Sequence, residues 1–167
     1  MIERFQTIWS VGIQDAKRHM RSQRMLILSP LIILAISMAC WGFADARIVP
    51  AGLPTNSPSD VLFYSSLPIV FFCTLSVVLI GFDTISRRRL TGELAIDLSQ
   101  PMPRADYAIS QLLGVWIAAM SPTTIAIVIG TFLIQQQMGE WPSSGDFTMF
   151  LGSTALLLWW YTCLQLL

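Results

Sequence analysis

The 167-residue sequence predicts an all-α fold: a polytopic membrane helix bundle with four transmembrane helices, an N-terminal interfacial amphipathic helix and a cytoplasmic segment between spans two and three. Three observations predict it. The composition is 54% hydrophobic and 12% charged, where an ordinary soluble domain is roughly 45–50% apolar and about 25% charged. The ten basic and ten acidic residues all avoid four windows, at 25–43, 61–82, 109–134 and 147–167. The basic residues also divide unevenly between alternate connections. So much apolar mass exceeds what one small soluble domain can bury, which excludes a soluble enzyme, a disordered tail and a nucleic-acid binder. A helix of about 20 apolar residues crosses a hydrocarbon core of about 30 Å, and in lipid it satisfies its own backbone hydrogen bonds.

Residues 1–24 form the first unit. Ile2, Phe5, Trp9, Ile13, Ala16 and Met20 recur at steps of three and four, with Glu3, Arg4, Gln6, Ser10, Gln14, Lys17 and Arg18 on the remaining surface. This is the pattern of a helix lying in the membrane interface with its basic face toward anionic headgroups, so membrane lipid is a predicted partner. A helix packed on a partner protein has the same pattern. Residues 25–167 form the transmembrane unit. The first span resembles a secretory signal only superficially, because 24 residues precede it and its apolar run exceeds the usual 7–15. The outer connection 44–60 holds Pro50, Pro54 and Pro58 with Gly52 and Asn56, and reads as a loop. The second outer connection, 135–146, is shorter and carries Gly139, Pro142 and Gly145.

Arg4, Lys17, Arg18, Arg21 and Arg24 precede span one, and Arg87, Arg88, Arg89 and Arg104 lie between spans two and three; the other two connections hold Arg47 alone. The positive-inside rule then places the N-terminus and residues 83–108 in the cytoplasm and residues 44–60 and 135–146 outside. Pro30, Pro68 and Pro122 lie inside spans, where each permits a kink. Cys40, Cys73 and Cys163 have no zinc spacing and read as buried thiols. Trp116, Trp159 and Trp160 read as packing residues, and His19 needs no catalytic role. The pairs Ala35-x-x-x-Ala39 and Gly114-x-x-x-Ala118 permit close helix packing. No span contains an ionisable residue, which disfavours an ion-coupled carrier.

The 83–108 segment is longer than a turn requires. Leu94, Ile96 and Leu98 follow Gly92, and Pro101, Met102 and Pro103 end the element, so a short helix and a stiff turn are predicted before span three. The run Phe82-Asp83-Thr84-Ile85-Ser86-Arg87-Arg88-Arg89-Leu90-Thr91-Gly92-Glu93-Leu94, followed by Leu98-Ser99-Gln100-Pro101-Met102-Pro103-Arg104, resembles the signature of ABC type-2 permeases. Ile8-Trp9 through Arg24 is similar to the entry helix of that family. The chain departs from the pattern at Arg87 and Arg88, where the family often has glutamate, and at Glu93, where it usually has threonine. Members have six spans, so the chain is expected to lack the last two.

The resemblance implies a permease subunit of an ATP-binding-cassette transporter, an exporter in a bacterial or archaeal cytoplasmic membrane. It pairs with a second permease copy or homologue and is driven by a separate ATP-binding-cassette ATPase subunit. The chain contains no GxxxxGK[ST] phosphate loop, so no cofactor is expected in it, and ATP and Mg would sit on the partner ATPase. By the same resemblance, Ser86, Arg88, Gly92, Glu93, Leu94, Leu98, Pro101 and Arg104 dock on that ATPase, and helix 2–20 braces the segment. Exposed ion pairs contribute only about 0–1 kcal/mol each, so Leu94, Ile96 and Leu98 are the expected source of affinity. The reading from a different class is an accessory or anchoring subunit of a larger membrane complex.

Overall fold

The computed structural model describes residues 2–45, 55–81 and 103–166, and among these residues it contains helices and no strand. The helices are α1 (Ile2–Met20), α2 (Gln23–Ala44), α3 (Pro58–Tyr64), α4 (Ser66–Gly81), α5 (Arg104–Met138) and α6 (Ser144–Leu166). Three of them, α2, α5 and α6, are long and apolar enough to cross a membrane, and the α3–α4 pair makes a fourth if counted as one bent span. The chain is an all-helical bundle of the polytopic membrane type.

Each element begins and ends where its backbone chemistry allows. Lys17, Arg18 and His19 occupy the last turn of α1, where the helix dipole favours cations. After Arg21, Ser22 caps α2 by accepting a hydrogen bond from the Met25 N–H at 3.3 Å. Ser57 and Asp60 form a reciprocal capping box at the start of α3, with Pro58 in the first turn. Helix α5 starts immediately after Pro103 and stops at Gly139, whose φ of 77° is the left-handed value that glycine adopts without strain. At 35 residues α5 is about 52 Å long, well beyond the hydrocarbon thickness.

The 109–134 window marks only the charge-free part of α5. Residues 104–108, assigned by sequence to the approach to span three, are already its first turn.

Span two is not one straight helix. It breaks at Ser65, with α3 and α4 bent by 41°. Pro68 accounts for the break, because its ring occupies the space of the Tyr64 carbonyl four residues back and it has no N–H to offer. Pro30 and Pro122 lie inside continuous helices. At Pro122 the freed carbonyl is that of Ala118, and the Ser121 hydroxyl donates to it at 3.1 Å.

Helix α5 is the hub of the bundle and packs against all five other described helices. The core joins Ile32, Ile36 and Cys40 of α2 with Val61 and Leu62 of α3, Ile69, Cys73 and Val77 of α4, Ala126, Ile127 and Ile134 of α5, and Leu158 of α6. Gly130 lets α2 approach closely, since a Cβ there would lie 2.6 Å from the Cys40 Sγ. Trp116 fastens α5 to α6, donating its indole N–H to the Ala155 carbonyl at 3.0 Å and meeting Trp159 edge-on.

Hydroxyls within the spans bond to carbonyls of their own helices: Ser76 to Cys73, Thr131 to Val128 and Thr162 to Leu158. Such internal satisfaction is how a polar side chain is accommodated away from water. The outward faces are apolar, with Ile27, Leu34, Phe71, Ile125, Leu156 and Trp160 all exposed, a surface suited to lipid rather than water.

Candidate functional site

The described cations Lys17, Arg18, Arg21, Arg24 and Arg104 are exposed, on α1, on the link to α2 and at the starts of α2 and α5. The described charged residues where α2 and α5 end and α3 and α6 begin are Asp45, Asp60, Glu140 and Asp146, all acidic. There Ser59 of α3 donates to the Asp146 carboxylate of α6 at 2.6 Å.

The candidate partner-binding residues Ser86, Arg88, Gly92, Glu93, Leu94, Leu98 and Pro101 lie outside the described residues. Arg104 is described, as the exposed first residue of α5. A cation at this end of a helix is opposed by the dipole. The two ends of the described chain that flank the segment are both held. At the end of α4, the Gln165 side-chain amide of α6 lies over Gly81, leaving no room for a Cβ there, and Gln165 Nε2 donates to the Val78 carbonyl at 3.0 Å. At the start of α5, Arg4 of α1 forms a two-point ion pair with Asp106, Nε to Oδ2 and Nη2 to Oδ1, each at 2.5 Å.

Helix α1 docks along the first half of α5, and its contacts climb both helices together. Arg4 meets Asp106, Gly12 lies against Ser110 and Leu113, Asp15 lies against Gly114, and the Met20 Sδ accepts from the Ser121 hydroxyl at 3.4 Å. Two glycines make the approach possible. A Cβ on Gly12 would sit 3.2 Å from the Leu113 Cβ, and one on Gly114 would sit 2.9 Å from the Asp15 Cβ.

Asp15 is buried and also contacts His19 at 3.1 Å. Asp106 is buried as well, and the Arg4 guanidinium holds its carboxyl below the usual carboxylate range, chiefly through the hydrogen bonds. The same pair raises Arg4 above its ordinary value.

The apolar stripe predicted on α1 packs only in part: Ala16 is buried and Met20 meets Ser121 of α5. Phe5 and Trp9 remain exposed, and the face formed by Arg4, Gly12 and Asp15 is turned roughly a quarter of a turn away from them. Sequence reasoning missed Arg4, Asp15 and Asp106 as a group because the pairs lie about a hundred positions apart. The available signal was Gly114-x-x-x-Ala118, which is the buried face of α5, with both residues buried. Ala35-x-x-x-Ala39 of α2 stays at the margin of the packing, where Ile32, Ile36 and Cys40 take the buried positions.

Two recesses open among the described residues. One, about 210 Å³, lies between α4 and α6 and is lined by Ile69, Cys73, Phe150 and Leu157. The other, about 290 Å³, is lined by Leu34, Met38, Trp41 and Leu133. Both are apolar and small beside ordinary ligand pockets of about 300–1,000 Å³. Among the described residues no three His, Cys, Asp or Glu side chains come together in a way that could hold a metal ion.

No protein-family model matches the chain, and no solved structure matches it. A curated protein does: the chain is 25% identical over 154 residues to the Probable ABC transporter permease protein NosY of Pseudomonas aeruginosa. The alignment covers 90% of this chain and 54% of that protein, so the chain spans about half the length of its relative. Together with the apolar helices, this likeness supports an integral membrane protein and a transport permease rather than an enzyme.

Proposed function

We propose that the chain is a membrane-spanning subunit of an ATP-binding-cassette exporter of the type-2 class, driven by a separate cytoplasmic ATPase subunit that binds the ATP and Mg. The observation that carries this reading is the likeness to an ABC transporter permease, which extends along nearly the entire chain and so includes the Phe82–Arg104 signature as well as the spans. The segregated charge is its physical complement. The arginine-rich N-terminal and 83–108 segments would face the cytoplasm, in a bacterial or archaeal cytoplasmic membrane, and the segment around Leu94 and Leu98 would meet the ATPase. Helix α1, with Phe5 and Trp9 exposed, would turn that apolar side to lipid and brace the start of α5 through Arg4 and Asp106. A second permease copy or homologue would complete the transporter.

Co-purification tests the reading. The intact chain should copurify with an ATP-binding-cassette ATPase subunit from its native membrane. Replacing Leu94 and Leu98 by Asp should abolish that association while leaving membrane insertion unchanged, because two buried apolar contacts are exchanged for uncompensated charge. Association that survives both substitutions would remove the docking assignment. Copurification with unrelated membrane subunits alone would favour an accessory or anchoring role.

A further inference from the structure

We propose that the Arg4–Asp106 ion pair and the Asp15–Gly114 contact form a rigid joint that fixes α1 to the start of α5, so that displacement of the cytoplasmic connection is passed to α1 and onward to the base of α2. Arg4 and Asp106 are then positioning residues of the transport cycle. The inference deepens the permease reading and rests on it.

The first support is where the joint lies. Asp106 is in the first turn of α5, which begins directly after Pro103. A force applied to the connection therefore reaches this turn before any other part of α5. The second is the chemistry of the pair. The Asp106 side chain is only 4% exposed and that of Arg4 is 63% exposed, yet the guanidinium meets both carboxylate oxygens. Two parallel bonds fix direction as well as distance, which the single-point contact of a lysine cannot do.

The third support is that the attachment is distributed. Contacts at Arg4, Gly12, Asp15 and Met20 fall in the same order on α5, at Asp106, Leu113, Gly114 and Ser121. A helix held along its length follows its support as a body, whereas one held at a single point pivots. By contrast, α1 packs only lightly on α2, and between them lie Arg21 and Ser22 alone. Mechanically α1 belongs to α5, and the short connection makes α2 the next element to feel its movement.

The test uses the full chain with the ATPase subunit that it copurifies with, in reconstituted membranes, and compares Arg4→Asp, Asp106→Arg and the double exchange. Two quantities are read. The first is the distance between spin labels at Ser10→Cys and Ala108→Cys, in a chain whose three native cysteines are replaced. The second is ATP hydrolysis by the assembled complex. Each single substitution should broaden the distance distribution and alter hydrolysis by about threefold or more, the size expected when two coupled residues are separated. The double exchange should narrow the distribution and recover at least half of the lost hydrolysis; full recovery is not expected, because an arginine in the first turn of α5 opposes the helix dipole.

Distances that are narrow in every variant would overturn the joint. Distances that respond while hydrolysis stays at the wild-type level would overturn the transmission and leave a purely structural contact. A wild-type chain that recruits no ATPase would instead overturn the permease reading, and the transmission with it, whatever the distances show.

Discussion

Asp106 carries a buried charge next to a membrane, and its environment states the conditions under which that is tolerable. The Arg4 fork supplies the compensating charge and two hydrogen bonds, and holds the carboxyl below its usual range. A carboxyl with a depressed folded value contributes stability above its unfolded pKa, and that contribution disappears as the pH falls through the depressed value. The spacing between α1 and α5 should therefore stay constant from pH 8 down to about pH 5 and loosen only below about pH 4. Spin labels at Ser10→Cys and Ala108→Cys measure it. The Asp106→Asn variant should show the loosened distribution at every pH, and loosening of the wild type near pH 6 would contradict this account. None of this pairing was legible in the sequence, where Arg4 reads as one of nine positives on one side and Asp106 only as the acid that follows Arg104. Long-range ion pairs leave no local pattern. Gly114 is the exception, since small-residue spacing marked the buried face of α5 before any partner was known.

At the level of single helices, local chemistry predicted much and stopped at identifiable points. The charge-free windows located α2, α5 and α6 because an unpaired charge is expensive in lipid wherever it falls. They said less about where helices end, which is decided by caps: α5 runs past its window to Pro103 on one side and Gly139 on the other. Three prolines lie in spans, and only Pro68 is associated with a break. At Pro122 the Ser121 hydroxyl bonds to the carbonyl that the proline frees.

Substituting Pro68→Ala should restore the hydrogen bond to the Tyr64 carbonyl and straighten the 41° bend. Labels at Asn56→Cys and Leu79→Cys should then move apart by about 2 Å, as the 1.5 Å rise per residue requires of a straightened helix of this length. An unchanged separation would place the cause of the bend in packing around Ser65 rather than in the proline. For α1 the periodicity identified a helix but only the edge of the face it uses, at Ala16 and Met20. Close approach of two helices is set by glycines and not by the largest apolar side chains, so Phe5 and Trp9 are left exposed.

Across the whole molecule, zero net charge conceals a strongly polar arrangement. The described cations lie on α1, the link to α2 and the starts of α2 and α5, and the described acids Asp45, Asp60, Glu140 and Asp146 lie where α2 and α5 end and α3 and α6 begin. The overall architecture was legible because it depends on composition averaged over some twenty residues at a time. The proposed docking surface would depend on the particular chemistry of residues 86–104 and on a partner, and its support is the family-like signature together with the likeness to a permease of about twice this length. A photo-reactive amino acid placed at Leu94 or at Leu98 in the intact chain, activated in native membranes, tests the central claim most directly. The account predicts cross-links from both positions to an ATP-binding-cassette ATPase subunit and none from a control at Trp141, at the opposite end of the bundle. Cross-links from Leu94 and Leu98 only to other membrane subunits, or to the ATPase only from Trp141, would contradict it.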